Sequence, residues 1–227
     1  DAYSTLARAL GAYPLAKPFL KRGIAAEHQK VLSDYARPLE QLDARGELVL
    51  WKVKPGTQQA SDDPFIDDTI DLRERPRDML GRVGLLQTEL QQLAQFHAPA
   101  FWIETGAAYD MPGMPRRDAS GLGVSTDKPV VYFIPGYTRF GGQNLLQISY
   151  VMWFSERPEA EPRDPAAGPL DGLIWRVTLD ERGQVLMHDT IHACGCYHLG
   201  FIAGDLKLRA DSDANPSGML FPQDVVT

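Results

Sequence analysis

Cysteine is scarce in this chain of 227 residues, and long apolar runs and an excess of basic charge are lacking. The two cysteines, Cys194 and Cys196, are too few and too close together to form a framework of disulfides between distant elements. No apolar stretch approaches the roughly 20 residues that a membrane-spanning helix needs, so we expect no transmembrane segment. Asp and Glu (30) outnumber Lys and Arg (23), and the resulting net charge of −7 argues against a nucleic-acid partner.

The motifs that most directly identify a reaction are also missing. There is no Gly-x-Ser-x-Gly nucleophile elbow, no Walker phosphate loop, no dinucleotide-binding fingerprint and no His-Glu-x-x-His zinc motif. The chain begins with Asp1 and not with Met, for which a removed signal peptide and a trimmed chain are the two explanations. If a signal peptide was removed, we expect the periplasm or cell envelope, and the alternative is the cytoplasm. Its preference for Arg over Lys, together with many Ala, Leu and Pro residues, is typical of GC-rich bacterial genomes.

The composition is that of a globular protein, with 44% hydrophobic residues, and its first part has helical periodicity. We expect helices in residues 1–45, interrupted by Pro14 and Pro18 and ended by Pro38, and a further helix over residues 82–96. A strand is predicted at residues 47–53. The acidic stretch 57–78 has neither the glycine turn nor the ligand alternation of a calcium loop, so we interpret it as a solvated linker.

From residue 98 onwards the pattern becomes β-like. Strands are predicted at residues 100–105, 129–134 and 145–154, with a loop over 109–127. The strand at 145–154 carries large apolar side chains on both faces, which indicates a central position. Residues 173–191 alternate as a hairpin that turns at Gly183, and short strands are predicted near 201–203 and 206–208. The fold prediction is α+β: one compact domain, 1–227, with N-terminal helices (helix-rich 1–97) packed on a mainly antiparallel β-sheet (β-rich 98–227).

The segment richest in side chains that can bind metals or react is His-x-Cys-Gly-Cys-x-His, which runs from His192 to His198. Imidazole nitrogen and thiolate sulfur are the donors that zinc prefers, and His also binds other transition metals. Gly195 at the centre allows a sharp reversal of the chain. If the chain reverses there, His192 and His198 become cross-strand neighbours with Cβ atoms about 5 Å apart, close enough for one tetrahedral ion.

We therefore predict His192, Cys194, Cys196 and His198 as metal ligands, with zinc as the leading cofactor and another transition metal as the alternative. His188 is a weaker candidate, because four residues of strand separate it from His192 by about 13 Å. Three other interpretations stay open. The cysteines can form a short, strained disulfide, Cys196 can be a nucleophile with His198 or His192 as its base, or all four side chains can simply be packed.

Other candidates lie elsewhere in the chain. The glycine-rich stretch 136–144 reads as a loop between strands, in which Tyr137 and Arg139 would bind an anionic substrate, although a flexible connection with a solvated Arg explains it as well. Glu104 and Glu156, at predicted strand ends, are candidates for a general base or a fourth ligand. His28 and His97 are interpreted as packing histidines on helices.

Three functions remain open from the sequence. The first is a soluble bacterial metal-binding protein, in its most specific form a metal-dependent hydrolase whose metal activates a bound water. The second is a non-enzymatic, envelope-associated binding or assembly protein with a structural Cys/His staple. The third is a thiol redox or cysteine-nucleophile protein. A small molecule or a peptide is the expected ligand class, and the oligomeric state is left open.

Overall fold

A computed structural model describes residues 13–38, 41, 46–54, 70–119, 121–159, 162, 167–204, 206–207 and 219–222. The chain divides into two compact units, residues 1–43 with 222–224 and residues 44–221 with 225–227. Most of the acidic stretch that we predicted as a linker falls outside the described residues. No helix in the described ranges combines the length and the apolar character needed to cross a membrane.

The described part of the first unit consists mainly of helix α1, Tyr13–Tyr35. Pro14 is tolerated in the first turn, where backbone N–H groups have no partner within the helix. Pro18 also lies within the helix, so the interruption that the sequence predicted at these two prolines does not occur. The helix ends three residues before Pro38, in keeping with the predicted stop.

The second unit is dominated by antiparallel strands, which confirms the α+β class. Helix α2 is Gln87–Phe96, and short 3₁₀ helices occupy Leu72–Glu74 and Ala108–Asp110. Two small two-stranded antiparallel sheets pair β1 (Glu47–Lys52) with β2 (Ala100–Thr105) and, as a hairpin, β3 (Met114–Asp118) with β4 (Gly121–Ser125). A five-stranded meander follows in chain order: β5 (Tyr132–Phe140), β6 (Gln143–Phe154), β7 (Asp171–Leu179), β8 (Val185–His192) and β9 (Leu199–Ile202).

The core lies on one face of the meander. Strand β6 contributes Leu146, Ile148 and Tyr150 to a buried cluster that also contains Leu93 and Ala94 of α2. The phenol of Tyr150 donates a hydrogen bond of 2.6 Å to the carbonyl oxygen of Ala94. Side chains of β6 on the other parity, such as Leu145 and Val151, are buried too, so the predicted central strand covered on both faces is confirmed.

Two stretches that read as loops in the sequence contain strands. Residues 109–127 include the β3–β4 hairpin, whose Pro, Arg and Gly residues have low β-propensity. Residues 136–140 continue β5, and the turn to β6 is confined to Gly141 and Gly142, both with positive φ. The glycines of this stretch correctly predicted the turn between β5 and β6. They also led us to predict a loop where β5 continues.

Candidate functional site at the Cys-Gly-Cys turn

The predicted reversal at Gly195 is present. The chain turns between the end of β8 at His192 and the start of β9 at Leu199. The N–H of Gly195 donates to the carbonyl of His192 at 2.8 Å, and the N–H of His192 donates to the carbonyl of Cys196 at 3.0 Å. Gly195 has a φ of 89° and Tyr197 one of 54°. Two residues in the left-handed region make this a tight turn rather than a loop.

The neighbouring strand fixes the turn in place. The N–H of Ala193 donates a 2.9 Å hydrogen bond to the carbonyl of Gly172, near the start of β7. A Cβ atom at Gly172 would lie 2.9 Å from the ring of Trp153 and 3.0 Å from the Cβ of Ala193. Only glycine therefore lets Trp153 and Ala193 approach β7 this closely.

The two cysteines of the turn are exposed, and both are free thiols. Their side chains are hydrogen-bonded to each other, and this bond is the main reason why the pKa of Cys196 lies above its ordinary value. Burial and the charge of Cys194 act in the same direction, whereas the guanidinium of Arg157 opposes them. The raised pKa favours the protonated form of the Cys196 thiol.

His192 lies at the base of the turn among polar and aromatic neighbours. Its ring centroid is 5.3 Å from that of Tyr197. Its Nδ1 atom is 3.5 Å from a guanidinium nitrogen of Arg157 and 3.7 Å from a carboxylate oxygen of Asp171. Burial lowers the pKa of His192, and Arg157 adds to that effect while Asp171 opposes it. A lowered pKa favours the neutral imidazole, which is the form that binds metals.

His198 lies in a different environment. Its Nε2 atom is 3.2 Å from a carboxylate oxygen of Asp189 and 2.9 Å from a guanidinium nitrogen of Arg176. Arg176 also forms an ion pair with Asp189, its direct partner in the β7–β8 register. Side chains alternate along a strand, so Asp189 and His192 point to opposite faces of β8. The structure therefore does not bring the imidazoles of His192 and His198 together around one ion.

None of the contacts that the structure describes for the other predicted residues is with the Cys-Gly-Cys turn. His188 packs against Trp175 with ring centroids 5.2 Å apart, and burial lowers its pKa. Tyr137 and Arg139 lie in strand β5 and not in a loop. The phenol of Tyr137 donates to the carbonyl of Val83 at 2.7 Å. Glu104 accepts a hydrogen bond from the N–H of Gly46 at 2.7 Å.

Within the described ranges, no three His, Cys, Asp or Glu side chains come together as a preformed metal site. Sequence reasoning missed Arg157 and Asp171, which are distant in the chain and are brought to His192 by β7. It also missed the pairing of Arg176 with Asp189. That pairing was within reach, because the hairpin turn before Gly183 sets the register of β7 against β8.

Comparisons with known proteins suggest no role for the chain, so the geometry of the turn is the basis for assigning one. No family model, no curated protein and no solved structure matches the chain.

Proposed function

We propose that the turn binds a soft transition-metal ion, with the thiolates of Cys194 and Cys196 as its ligands. The observation that carries the proposal is that both thiols are free, exposed and in contact with each other across Gly195. A metal ion would replace the thiol protons of both cysteines and link the two sulfur atoms. Thiolates favour Cu⁺ and Zn²⁺ over hard cations.

The number of nearby donors distinguishes between these two metals. Two thiolates are sufficient for Cu⁺, which accepts low coordination numbers, whereas Zn²⁺ requires four ligands. His192 is the imidazole at the base of the turn, and it would have to leave Arg157 and Asp171 to become a third ligand. His198 is left out of the proposal, because Asp189 and Arg176 hold it on the other face. The donor set therefore favours Cu⁺.

The proposal stops at binding. Catalytic zinc sites generally use three protein ligands and an open position, and the described side chains offer no such group of three. A cysteine nucleophile needs a lowered pKa, whereas the pKa of Cys196 is raised. A structural staple is usually closed and shielded, and these thiols are exposed.

Metal titration under anaerobic conditions tests the proposal. Cu⁺, supplied with a competing chelator, should bind with a stoichiometry of one and produce thiolate-to-metal charge-transfer absorption. Cys194→Ser and Cys196→Ser should each weaken binding at least about 100-fold, because each removes one of two ligands. His192→Gln should weaken Zn²⁺ binding and leave Cu⁺ binding unchanged. The matched control is His28→Gln, a histidine change on α1, away from the turn in sequence. Unaltered Cu⁺ binding in the double serine variant would refute the proposal.

A second function, a dithiol–disulfide couple, draws on the same contact between thiols. Oxidation would form one S–S bond and pass two electrons and two protons to an oxidant such as glutathione disulfide. The ring closed by a Cys-x-Cys disulfide is small and strained, which makes the bond easy to reduce. Thiol trapping in glutathione buffers of stepped potential would reveal the couple. Thiols that stay reduced in the most oxidising buffer would eliminate this function.

A further inference from the structure

A cavity of about 810 Å³ lies away from the Cys-Gly-Cys turn, in the second unit. Its lining comes mainly from β1 and the two residues after it, from β2, from residues 129–131 just before β5, and from β6. Its apolar wall includes Leu50, Phe101, Val131 and Met152. This volume falls in the range of small-molecule sites, which are concave and mostly apolar.

The described charged residues that line the cavity are all basic. Among the residues that the structure describes, Lys52 and Lys54 are the only charged ones that line it, although the chain as a whole has a net charge of −7. Both lysines are exposed, and in the described part of the chain neither forms an ion pair. Two unpaired cations beside an apolar cavity complement a ligand with an apolar body and an anionic end.

Trp51 is also among the residues that line the cavity. Its indole N–H is shielded from solvent and has no hydrogen-bond acceptor among the described residues. A buried donor without an acceptor costs about 1–3 kcal/mol. Because solvent does not reach this N–H, it takes no part in ligand binding, and the selectivity for the head group rests on Lys52 and Lys54.

We infer that this cavity binds a single-chain anionic amphiphile, a fatty acid in its carboxylate form. The acyl chain occupies the apolar space between Phe101, Val131 and Met152, and the carboxylate lies near Lys52 and Lys54. The apolar wall provides affinity by removing the chain from water, and the lysines select the anionic head.

Calorimetric titration of the full chain with three twelve-carbon ligands tests the inference, with the two ionic ligands below their micelle concentrations and dodecanol below its solubility limit. Laurate is the expected ligand. Dodecanol and dodecyltrimethylammonium have similar chains with a neutral and a cationic head, and we expect each to bind at least about tenfold more weakly than laurate. Equal affinity for all three ligands, or no laurate binding, would overturn the inference.

Two variants separate the roles of head and chain. The double variant Lys52→Met/Lys54→Met should lower laurate affinity by about tenfold or more and leave dodecanol affinity unchanged. The control Lys30→Met/Lys207→Met makes the same charge change outside the cavity and should leave both affinities unchanged. Val130→Trp, which fills the cavity, should weaken both ligands. Circular dichroism and thermal melting verify that each variant is folded.

Two results would contradict the assignment even if laurate binds. Laurate affinity that persists in Val130→Trp would place the ligand elsewhere. A change of oligomeric state in Val130→Trp, measured by sedimentation, would indicate that a second copy of the chain covers the cavity.

Discussion

The imidazole of His198 lies 3.2 Å from the carboxylate of Asp189, a side chain that exposes only 1% of its surface. The same carboxylate pairs with Arg176 on the adjacent strand. A buried carboxylate is expected to have such partners, because an unpaired ion in the interior is costly. This relationship ties the chain just before β9 to β7 and β8 and leads to the first prediction.

Replacement of Asp189 by Asn should destabilise the second unit by about 3 kcal/mol, the lower end of the range for a broken buried pair, because Arg176 keeps partial access to water. Chemical denaturation measures the loss in free energy of unfolding. Asp127→Asn is the matched control: Asp127 is an exposed turn residue, and its loss should cost less than about 1 kcal/mol. Equal effects of the two substitutions would contradict a stabilising role for the buried pair.

Acidification should destabilise the fold through its buried histidines. Burial lowers the pKa values of His97 and His188 below the ordinary value of 6.5. Below about pH 6.5 the unfolded chain therefore binds protons that the folded chain does not, and stability falls as the pH falls. Denaturation between about pH 7.5 and about pH 5.5 should show this slope, and His188→Leu should reduce it.

The control for this slope is Thr190→Val, a change on the same face of β8 that removes no titrating group. A His188→Leu variant with the full wild-type slope would show that His188 does not contribute to it.

Thr190 and Thr178 offer a paired test of hydrogen bonding in the sheet. Both are buried. The hydroxyl of Thr178 accepts a 3.0 Å hydrogen bond from the amide of Gln147, whereas that of Thr190 has no partner among the described residues. Thr190→Val should stabilise the protein by about 1 kcal/mol, and Thr178→Val should destabilise it by a similar amount. Changes of the same sign in the free energy of unfolding of the two variants would contradict the different hydrogen bonding of the two hydroxyls.

Gly172 should tolerate no side chain, because Trp153 and Ala193 occupy the space where a Cβ would lie. Gly172→Ala should cost about 1–3 kcal/mol through crowding. It should also weaken metal binding at the turn, because Gly172 holds Ala193 in place. Gly136→Ala is the matched control in strand β5, where the nearest atom to the added carbon lies at 3.9 Å. Thermal melting measures the loss of stability in both variants, and Cu⁺ titration measures the loss of metal affinity. Equal losses in Gly172→Ala and Gly136→Ala would contradict the prediction.

Metal affinity at the turn should rise with pH. Each thiol must lose its proton before its sulfur can bind the metal, and the raised pKa of Cys196 extends this competition to higher pH. Affinity for Cu⁺ should increase through the neutral range and continue to increase above the ordinary pKa of a thiol. Competition titrations at stepped pH measure the dependence, and a flat profile would indicate that at least one thiolate is not a ligand.

The sequence predicted local features of the fold well where periodicity and turn chemistry agreed. The β7–β8 hairpin, its turn at Gly183 and the doubly covered strand β6 followed from alternation and glycine position alone. Strand β5 was placed too early, because Pro135 and Gly136 read as breakers, although β5 is an edge strand that tolerates them. Helix α2 begins at Gln87 and not near Arg82, because residues 82–86 are extended.

The candidate site was predictable only in part. The reversal at Gly195 followed from the freedom of glycine. The separation of His192 from His198 could not be predicted in this way. It depends on the backbone conformation after β8, which determines the face of the sheet on which each imidazole lies. Arg157 and Asp171 reach the turn through long-range pairing, and a single sequence contains no direct signal of such pairing.

The two imidazoles attach the turn to both faces of the sheet. His192 is anchored by Arg157, Asp171 and Tyr197 on one side, and His198 by Asp189 and Arg176 on the other. A ligand that rotated the backbone between them would have to loosen one anchor or the other. Occupancy of the sulfurs should therefore be transmitted as strain to the strand ends, where amide exchange of Ala193 and Leu199 would register it first.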